Sequence, residues 1–262
     1  MAVVNRTPDS FFDRGATFGF DAALRAVDRA AAEGADIVDI GGVKAGPGDD
    51  VDVTEELRRV VDLVAAVRDR HPGLVISVDT WRAEVGEAVA LAGADLLNDT
   101  WGGVDPELAS VSAAHGLGLV CAHAGRQEPR TRPHRVAYAD VVADVVRHVT
   151  AEAERAVALG VRPDGIMIDP AHDFGKNTRQ SLEVSRRLGE LAGTGWPVLV
   201  AVSNKDFIGE TLGQAVDKRG VGTMAVLGVS AWLGAQVFRV HDVAGARRAL
   251  DAVTALRSRP VS

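Results

Sequence analysis

Eight short apolar stretches, each closed by polar residues or glycine, most limit the folds open to this chain of 262 residues. The stretches are nearly continuous in hydrophobicity, which is typical of strands buried on both faces of a parallel sheet. We therefore predict eight parallel strands. They lie in AVVNRT (2–7), ADIVDIGG (35–42), LVISVDT (74–80), ADLLNDT (94–100), LGLVCAHA (117–124), IMIDP (166–170), PVLVAVSNK (197–205) and VFRVHDV (237–243).

Helical patterns separate these strands. The first covers 20–34 and ends at Gly34, a residue suited to the position after a helix. Strict alternation of strand and helix implies right-handed βαβ units, and eight units that close on themselves form an α/β fold, the (β/α)8 TIM-type barrel. We predict a single barrel domain over 1–262, with an open doubly wound sheet as the alternative. The remaining predicted helices are 53–73, 81–92, 105–115, 139–160, 178–192, 221–234 and 244–257.

Composition argues against several classes of partner and location. The net charge is −7 with no long run of one sign, so we predict neither a nucleic acid nor a membrane as partner. The lone Cys121 cannot form an internal disulfide, and the first residues do not resemble a signal peptide. No apolar stretch approaches the ~20 residues that cross a bilayer. These features predict a cytoplasmic protein.

Each predicted strand places polar side chains at its carboxyl end. In TIM-type barrels the chemistry lies at that end of the strands, so residues far apart in the sequence are expected to form one ring. The expected ring contains Asn5, Asp39, Asp79, Asn98, Asp99, His123, Asp169, Ser203, Asn204, Lys205, Arg239, His241 and Asp242.

This ring suits a flat heterocycle such as a pterin or a purine, a phosphate, or both. The exocyclic amine and ring N–H groups of such a heterocycle need oxygen acceptors, which Asp79, Asn98 and Asp169 offer. Its carbonyl and ring nitrogen need a donor, which Lys205 offers. An arginine over the ring face adds stacking and cation–π attraction.

Taken in order, these strand ends resemble dihydropteroate synthase from Val4 to Val243. The resemblance implies a protein that joins 6-hydroxymethyl-7,8-dihydropterin pyrophosphate to p-aminobenzoate and releases pyrophosphate on the way to folate. The motifs that carry it are VNRTPDSFFDRG (4–15), ISVDTWRAEV (76–85), AGADLLNDTWGG (92–103), PRTRP (129–133), IDPAHDFGK (168–176), VSNKDFIGETLG (202–213) and FRVHDV (238–243).

The resemblance also implies roles for individual residues. Lys205, Arg239 and His241 would be catalytic, with Arg239 and His241 facing the leaving pyrophosphate. Asn5 would help bind Mg2+, the implied cofactor. Relatives of this kind pair as homodimers through outer helices, for which 221–234 is the candidate. The implied pterin-binding residues are Asp79, Asn98, Asp169, Lys205 and Arg239.

The chain departs from the family in segments expected to hold the second substrate. The family's G-G-E-S-T-R-P-G is replaced by GGVKAGPG, and its S-R-K-S by SNKD. A carboxylate at 206 is expected to repel the carboxylate of p-aminobenzoate. Lys44 and Arg6 are candidates for restoring positive charge. The changed residues are Val43, Lys44, Ala45, Gly46, Asn204 and Asp206.

Two alternatives to an active synthase stay open. The first is a catalytically inactive or altered-substrate paralogue that keeps the pterin pocket, resembling the divergent second copy of some actinobacteria. The second is a methyltetrahydrofolate-binding domain of methyltransferase type, which shares the barrel and the pterin carboxylates. The segments VNRTPDSF (4–11) and FRVHDV (238–243) argue against the second.

Single residues near the ring allow two interpretations each. Lys176 either contacts an anion or is only a loop charge, and His123 either lines the site or is a hydrogen-bonded structural residue. Cys121, inside a strand, is predicted to be a small core residue.

Overall fold

The computed structural model describes residues 1–8, 15–131 and 136–257. Residues 9–14 of the first motif and 132–133 of PRTRP lie outside these ranges. The described residues form eight β-strands and ten α-helices. The strands are β1 (Ala2–Asn5), β2 (Ile37–Gly41), β3 (Val75–Asp79), β4 (Leu96–Asp99), β5 (Gly118–Ala122), β6 (Ile166–Asp169), β7 (Leu199–Val200) and β8 (Val237–Phe238).

The helices follow the strands around the outside of the sheet. One helix follows each of the strands β1 to β5 and β8, and two helices follow each of β6 and β7. They are α1 (Phe20–Ala32), α2 (Val53–Arg70), α3 (Ala83–Leu91), α4 (Leu108–His115), α5 (Val141–Leu159), α6 (Thr178–Arg186), α7 (Leu188–Ala192), α8 (Asp206–Leu212), α9 (Gly220–Trp232) and α10 (Val243–Arg257).

The strands close into a parallel barrel. Strands β1 to β6 pair in sequence order, and β7 pairs with β8. Two parallel bridges join these groups, one between Ile168 and Val198 and one between Ala2 and Val240. At the second joint, Val240 N donates to Met1 O at 2.9 Å. Closure by both bridges confirms the predicted barrel and removes the open sheet as an alternative.

Two apolar layers fill the barrel wall and its base. Outward-facing strand residues such as Ile40, Ile76 and Leu97 are fully buried against the helices, and Cys121 belongs to this layer. Burial of each such side chain contributes roughly 1.5–3 kcal/mol. A second, smaller cluster closes the lumen below the polar ring. It contains Met1, Leu96, Val120, Leu199 and Ala201.

Local signals explain where several helices begin and end. Asp52 accepts from Glu55 N at 2.8 Å before α2, and Asp140 accepts from Val142 N at 2.9 Å before α5. Helix α5 ends at Gly160, whose φ is 107°. Among the helices of the described residues, none is long and apolar enough to cross a membrane.

The structure differs from the predicted elements at three places. The single helix predicted over 178–192 is two helices, α6 and α7, separated at Arg187 with a φ of −104° and ψ of 21°. Helix α8 follows the predicted strand 197–205 in a segment for which the sequence predicted no helix, because its seven residues are too few to show a periodic pattern. Strands β7 and β8 have only two residues each.

Candidate functional site

The lumen at the carboxyl ends of the strands holds the core of the predicted ring. Side chains along each strand alternate between the lumen and the helices. Leu96 belongs to the lumen cluster, so Asn98, two residues further, also faces the lumen. Asp79 lies opposite Asn98 across β3 and β4, and Gly41 lies opposite both Asp79 and Asn5. These strands therefore bring Asn5, Asp79 and Asn98 to one end of the lumen.

Asp39 forms the floor of the site and is fully buried. Its Oδ1 accepts from Ser77 Oγ at 2.5 Å, and its Oδ2 accepts from Arg239 Nε at 2.5 Å and from Asn98 Nδ2 at 3.2 Å. The sequence placed Asp39 at a strand end but gave it no role. The available signal was a carboxylate inside an apolar run, directly opposite Ser77 in the next strand. Such a carboxylate needs buried partners.

Arg239 connects this floor to the mouth of the site. Its Nη2 donates to Asp79 Oδ2 at 3.0 Å, and Asp79 Oδ1 accepts from Thr100 Oγ1 at 2.7 Å. Burial acts to lower the pKa of Arg239, but the charges of Asp39 and Asp79 outweigh it and hold that pKa above its ordinary value. Burial raises the pKa of Asp79, and the charge of Arg239 opposes this rise.

Asp169 and Lys205 form the opposite side of the lumen. Asp169 Oδ1 accepts from Ala171 N at 2.7 Å. Lys205 Nζ donates to His172 O and lies 4.5 Å from the centroid of the Phe174 ring. Burial raises the pKa of Asp169, while the charge of Lys205 acts to lower it. Burial likewise lowers the pKa of Lys205. The two groups thus compensate each other's charge in a water-poor space.

His241 is placed by a neighbouring strand end. Its Nδ1 lies 2.9 Å from Ser203 Oγ, and its backbone N donates to the same oxygen at 3.3 Å. Ser203 therefore fixes the orientation of the imidazole at the end of β8. The described lumen thus brings together every residue predicted to bind the pterin, along with the two residues predicted to face the leaving group.

The arrangement presents acceptors, donors and an aromatic ring around one space. An ionised carboxylate offers about four lone-pair sites. Thr100 and Arg239 use two of those on Asp79, so the carboxylate can still accept from a ligand. Ammonium and guanidinium groups supply donors, and Phe174 supplies an apolar face. This combination can hold a planar heterocycle that carries an amine, a carbonyl and ring nitrogens.

The loop after β2 is fixed at both ends. Arg59 Nη1 donates to Gly42 O at 2.9 Å, and Arg82 Nη2 donates to Val51 O at 2.7 Å. Between these anchors Val43 is buried, at 8 % exposure, and Lys44, Ala45 and Gly46 are half-buried. The four changed residues therefore lie in a loop held against α2, beside the mouth of the lumen.

The second changed segment has its own anchor, which the sequence did not indicate. Asn204 has a φ of 56°, a left-handed conformation that asparagine tolerates better than most residues. Its backbone N donates to Thr223 Oγ1 at 3.0 Å. Arg219 Nη1 donates to Asn204 O at 2.9 Å and to Asp206 Oδ1 at 2.7 Å. The charge of Asp206 is therefore compensated by Arg219 and does not stand alone at the site.

Two members of the expected ring, Asp99 and Asp242, and the candidate cation Arg6 point away from the lumen. Asp99 accepts from Gly103 N at 2.6 Å on the helix side of β4, and burial raises its pKa to about 6. Asp242 accepts from Gly245 N at 2.9 Å in the first turn of α10. Arg6 donates to Phe18 O at 3.1 Å and to Arg59 O at 2.7 Å, so its guanidinium holds the segment before α1 against α2.

Neither interpretation of Lys176 is correct. The side chain is buried at 2 % exposure, and its Nζ donates to His123 O at 2.8 Å and to Phe174 O at 2.9 Å. For His123 the structural interpretation holds, because its Nε2 lies 2.9 Å from Asp144 Oδ2 on the outer side of the barrel. Both residues lie behind the site.

The donors present fit a magnesium ion only as a companion of a phosphate ligand. Among residues 1–8, 15–131 and 136–257, no group of three or more His, Cys, Asp or Glu could hold a metal. Mg2+ commonly combines one or two protein oxygens with substrate phosphates and water. A Cβ on Gly41 would lie 3.0 Å from Asn5 Oδ1, so the glycine leaves room beside that amide oxygen. Asn5 is therefore a compatible single ligand.

Comparison with known proteins agrees with this geometry. The family model described as "Pterin binding enzyme" matches residues 1–241. "Inactive dihydropteroate synthase 2" of Mycobacterium leprae (strain TN) is 55% identical over 261 residues, which cover 98% of this chain and 90% of the relative. "Dihydropteroate synthase" of Bacillus subtilis (strain 168) is 37% identical over 245 residues, covering 93% of this chain and 83% of the relative.

A solved structure gives the same result. Yersinia pestis dihydropteroate synthase, in a sulfonamide drug complex, superposes with a TM-score of 0.92 at 35% identity, covering 98% of this chain and 93% of that one. The resemblance stated from the sequence motifs is confirmed. The chain therefore belongs to the pterin-binding enzyme family, as a barrel of the dihydropteroate synthase type.

Proposed function

We propose that this protein binds 6-hydroxymethyl-7,8-dihydropterin pyrophosphate in the lumen and condenses it with p-aminobenzoate poorly or not at all. The observation that carries the proposal is the ring of Asp79, Asn98 and Asp169 with Lys205 and Arg239 at one end of the barrel. Buried polar groups of this kind favour a ligand that satisfies them and reject one that leaves them unpaired.

The pterin would lie with its amine edge toward the acceptors. Asp169 and Asn98 accept from its amine and ring N–H groups, and Lys205 donates to its carbonyl. Phe174, whose ring centroid lies 4.5 Å from Lys205 Nζ, offers an apolar face beside the pterin ring. The guanidinium of Arg239 stacks on the opposite face after it exchanges part of its contact with Asp79 for the ligand.

The leaving group would face Arg239 and His241. In the family reaction the C–O bond to pyrophosphate breaks, the amine nitrogen forms a C–N bond to the methylene carbon, and the amine proton passes to solvent. Cationic side chains near the departing oxygen stabilise the negative charge that develops there. Bound Mg2+ would neutralise pyrophosphate charge, with Asn5 as its protein ligand.

Loss of efficient condensation follows from the changed segments. The loop over Val43–Gly46 offers a buried valine and a single lysine, and the 78% exposed side chain of Asp206 occupies Arg219, which is then not free to bind the carboxylate of p-aminobenzoate. The relative from Mycobacterium leprae carries the name "Inactive dihydropteroate synthase 2". These observations favour the paralogue interpretation over the active synthase.

The active synthase is the second candidate, and one observation favours it. Arg219 lies 2.7 Å from Asp206 and reduces the repulsion expected for p-aminobenzoate. Lys44 is the other candidate cation, in the loop after β2. The intact group of Lys205, Arg239 and His241 is likewise compatible with turnover.

Two measurements separate these candidates. Pyrophosphate release is followed with dihydropterin pyrophosphate, Mg2+ and p-aminobenzoate, and calorimetry measures p-aminobenzoate or sulfonamide binding in the presence of pyrophosphate. The proposal predicts pterin binding without appreciable turnover and without sulfonamide binding. Turnover at a rate typical of enzymes, about 1 per second or faster, establishes the active synthase instead.

We further propose a homodimer in the cytoplasm. Helix α9 carries no charged residue, and it exposes Val221 at 86%, Val229 at 54% and Trp232 at 58% along one side. An apolar side of this kind is typical of a contact between chains. The proposed location rests on the single, buried cysteine.

A further inference from the structure

The ammonium of Lys176 is buried and surrounded by hydrogen-bond acceptors. The residue is 2 % exposed, and its Nζ lies within hydrogen-bond distance of four acceptors. An ammonium has three hydrogens, so one donor is shared or the longest contact is weakest. The acceptors are His123 Nδ1 at 2.8 Å, His123 O at 2.8 Å, Phe174 O at 2.9 Å and Ala171 O at 3.2 Å.

Two of these acceptors belong to a loop with an unusual backbone. Between β6 and α6, Ala171 has a φ of 48°, Asp173 of 66° and Gly175 of 58°. The left-handed region is unfavourable for residues with a side chain, so such a loop needs contacts that hold it. At Gly175 a Cβ would lie 2.5 Å from Ala124 O, which requires glycine there. Lys176 supplies the holding contacts at Ala171 and Phe174.

The same loop touches both sides of the proposed pterin pocket. Ala171 N donates to Asp169 Oδ1 at 2.7 Å. Lys205 Nζ donates to His172 O and lies over the Phe174 ring at 4.5 Å. The conformation of residues 170–175 therefore determines where the carboxylate of Asp169 and the ammonium of Lys205 lie.

His123 fixes the ammonium from the other side. Burial, aided by the charge of Lys176, lowers the pKa of His123 to about 3, so the imidazole is neutral. A neutral ring can accept at Nδ1 from Lys176 and donate from Nε2 to Asp144, 2.9 Å away. The chain of contacts thus runs from α5 through β5 to the loop after β6.

We propose that Lys176 is a positioning residue for the ligand pocket: its ammonium holds the loop 170–175, and through that loop it places Asp169 and Lys205. That the ligand of this pocket is a pterin rests on the proposed function. The loop contacts do not depend on it.

Lys176→Met tests the inference, with Lys218→Met as the matched control on the exposed part of the chain. Calorimetry gives the affinity for dihydropterin pyrophosphate, circular dichroism confirms folding, and hydrogen exchange follows the peptide over 168–176. We expect Lys176→Met to weaken binding about tenfold or more and to speed exchange in that peptide. Lys218→Met should change affinity less than about twofold, because its side chain is exposed.

A pH profile separates positioning from a purely structural role. Burial lowers the pKa of Lys176 to about 7. The wild-type affinity should therefore fall as the ammonium loses its proton above that pH, and this step should be missing in Lys176→Met. Other charged and titratable groups face Lys176, and their titration is common to the wild type and Lys176→Met. They are His123, Asp144, Asp169, Asp173 and Lys205.

Each outcome decides the inference. A folded Lys176→Met protein with wild-type affinity and the same pH step overturns it. If Lys176→Met does not fold, Lys176→Gln, which keeps two N–H donors without the charge, must bind the pterin more weakly than the wild type and show no pH step; wild-type affinity in a folded Lys176→Gln protein overturns the inference. If the wild-type protein binds no pterin, the proposed function fails, and unchanged exchange at 168–176 in either variant then overturns the inference separately.

Discussion

Arg239 and Asp39 form an ion pair in the barrel lumen, with 2.5 Å between Nε and Oδ2. The Asp39 side chain is fully buried and that of Arg239 is 18% exposed. Removing one partner of a buried pair leaves an uncompensated charge, at a cost of about 3–5 kcal/mol. We expect Asp39→Asn to lower the free energy of unfolding by about 3 kcal/mol, measured by urea denaturation.

Asp36→Asn is the matched control for this prediction. Asp36 pairs with Arg247 at 2.8 Å, but its side chain is 77% exposed. Exposed pairs of this kind contribute about 0–1 kcal/mol. An equal decrease in the free energy of unfolding for the two changes would show that the buried lumen pair contributes no more to stability than an exposed pair.

Asp206→Ser tests the rewritten second-substrate segment. The Asp206 side chain is 78% exposed, so losing its contact with Arg219 should change stability by less than about 1 kcal/mol. The same change removes a negative charge and leaves Arg219 available to a carboxylate ligand. We expect p-aminobenzoate to bind at least about tenfold more tightly, in calorimetry with pyrophosphate present. Unaltered affinity would show that another segment, for example the loop over 43–46, prevents p-aminobenzoate from binding.

Stability should depend on pH through Asp99. Burial raises the pKa of this carboxyl to about 6, from an unfolded value of 3.8. The folded protein therefore holds more protons than the unfolded chain between these values, and its free energy of unfolding falls as pH rises from about 4 to 6. Asp99→Asn cannot titrate, so its stability difference from wild type should change across that window and stay constant above it. A difference that is flat from pH 4 to 7 would contradict the raised pKa.

The proposed dimer is tested on α9. Trp232→Glu places a charge on the exposed apolar side of this helix, where Trp232 is 58% exposed. We expect a shift to monomer in sedimentation equilibrium without loss of folding. Leu91→Glu, on α3, changes a side chain that is 75% exposed and should leave the assembly unaltered. A wild-type monomer would refute the dimer outright.

Much of the barrel could be predicted because its signals are local. Continuous apolar runs and Gly or Asp ends mark strands such as β3 and β4, whose bounds differ from the prediction by one or two residues. Alternation along those strands then brings Asp79 and Asn98 together, which the sequence order alone also implied. Helix α8 was missed because seven residues after a strand carry too little periodicity.

The supporting contacts of the site could not be predicted, because they join residues distant in sequence through side-chain direction. Nothing local shows that Lys176 turns back to His123, 53 residues earlier, or that Arg219 reaches Asp206. Asp39 is similar: its partner Arg239 lies 200 residues away and meets it only when the barrel closes. The charge of each of these residues and its position along the chain follow from the sequence, whereas the partner that each residue contacts is determined by the fold.

The measurement that tests the central claim most directly is calorimetric titration of dihydropterin pyrophosphate into the wild-type protein, Asp169→Ala and Lys44→Ala. We expect saturable one-to-one binding to the wild type and a loss of about 100-fold or more in Asp169→Ala, because the carboxylate is a charged acceptor in a buried site. Lys44→Ala should bind nearly as the wild type does. No binding by the wild type, or wild-type affinity in Asp169→Ala, would contradict the claim that the lumen is a pterin site.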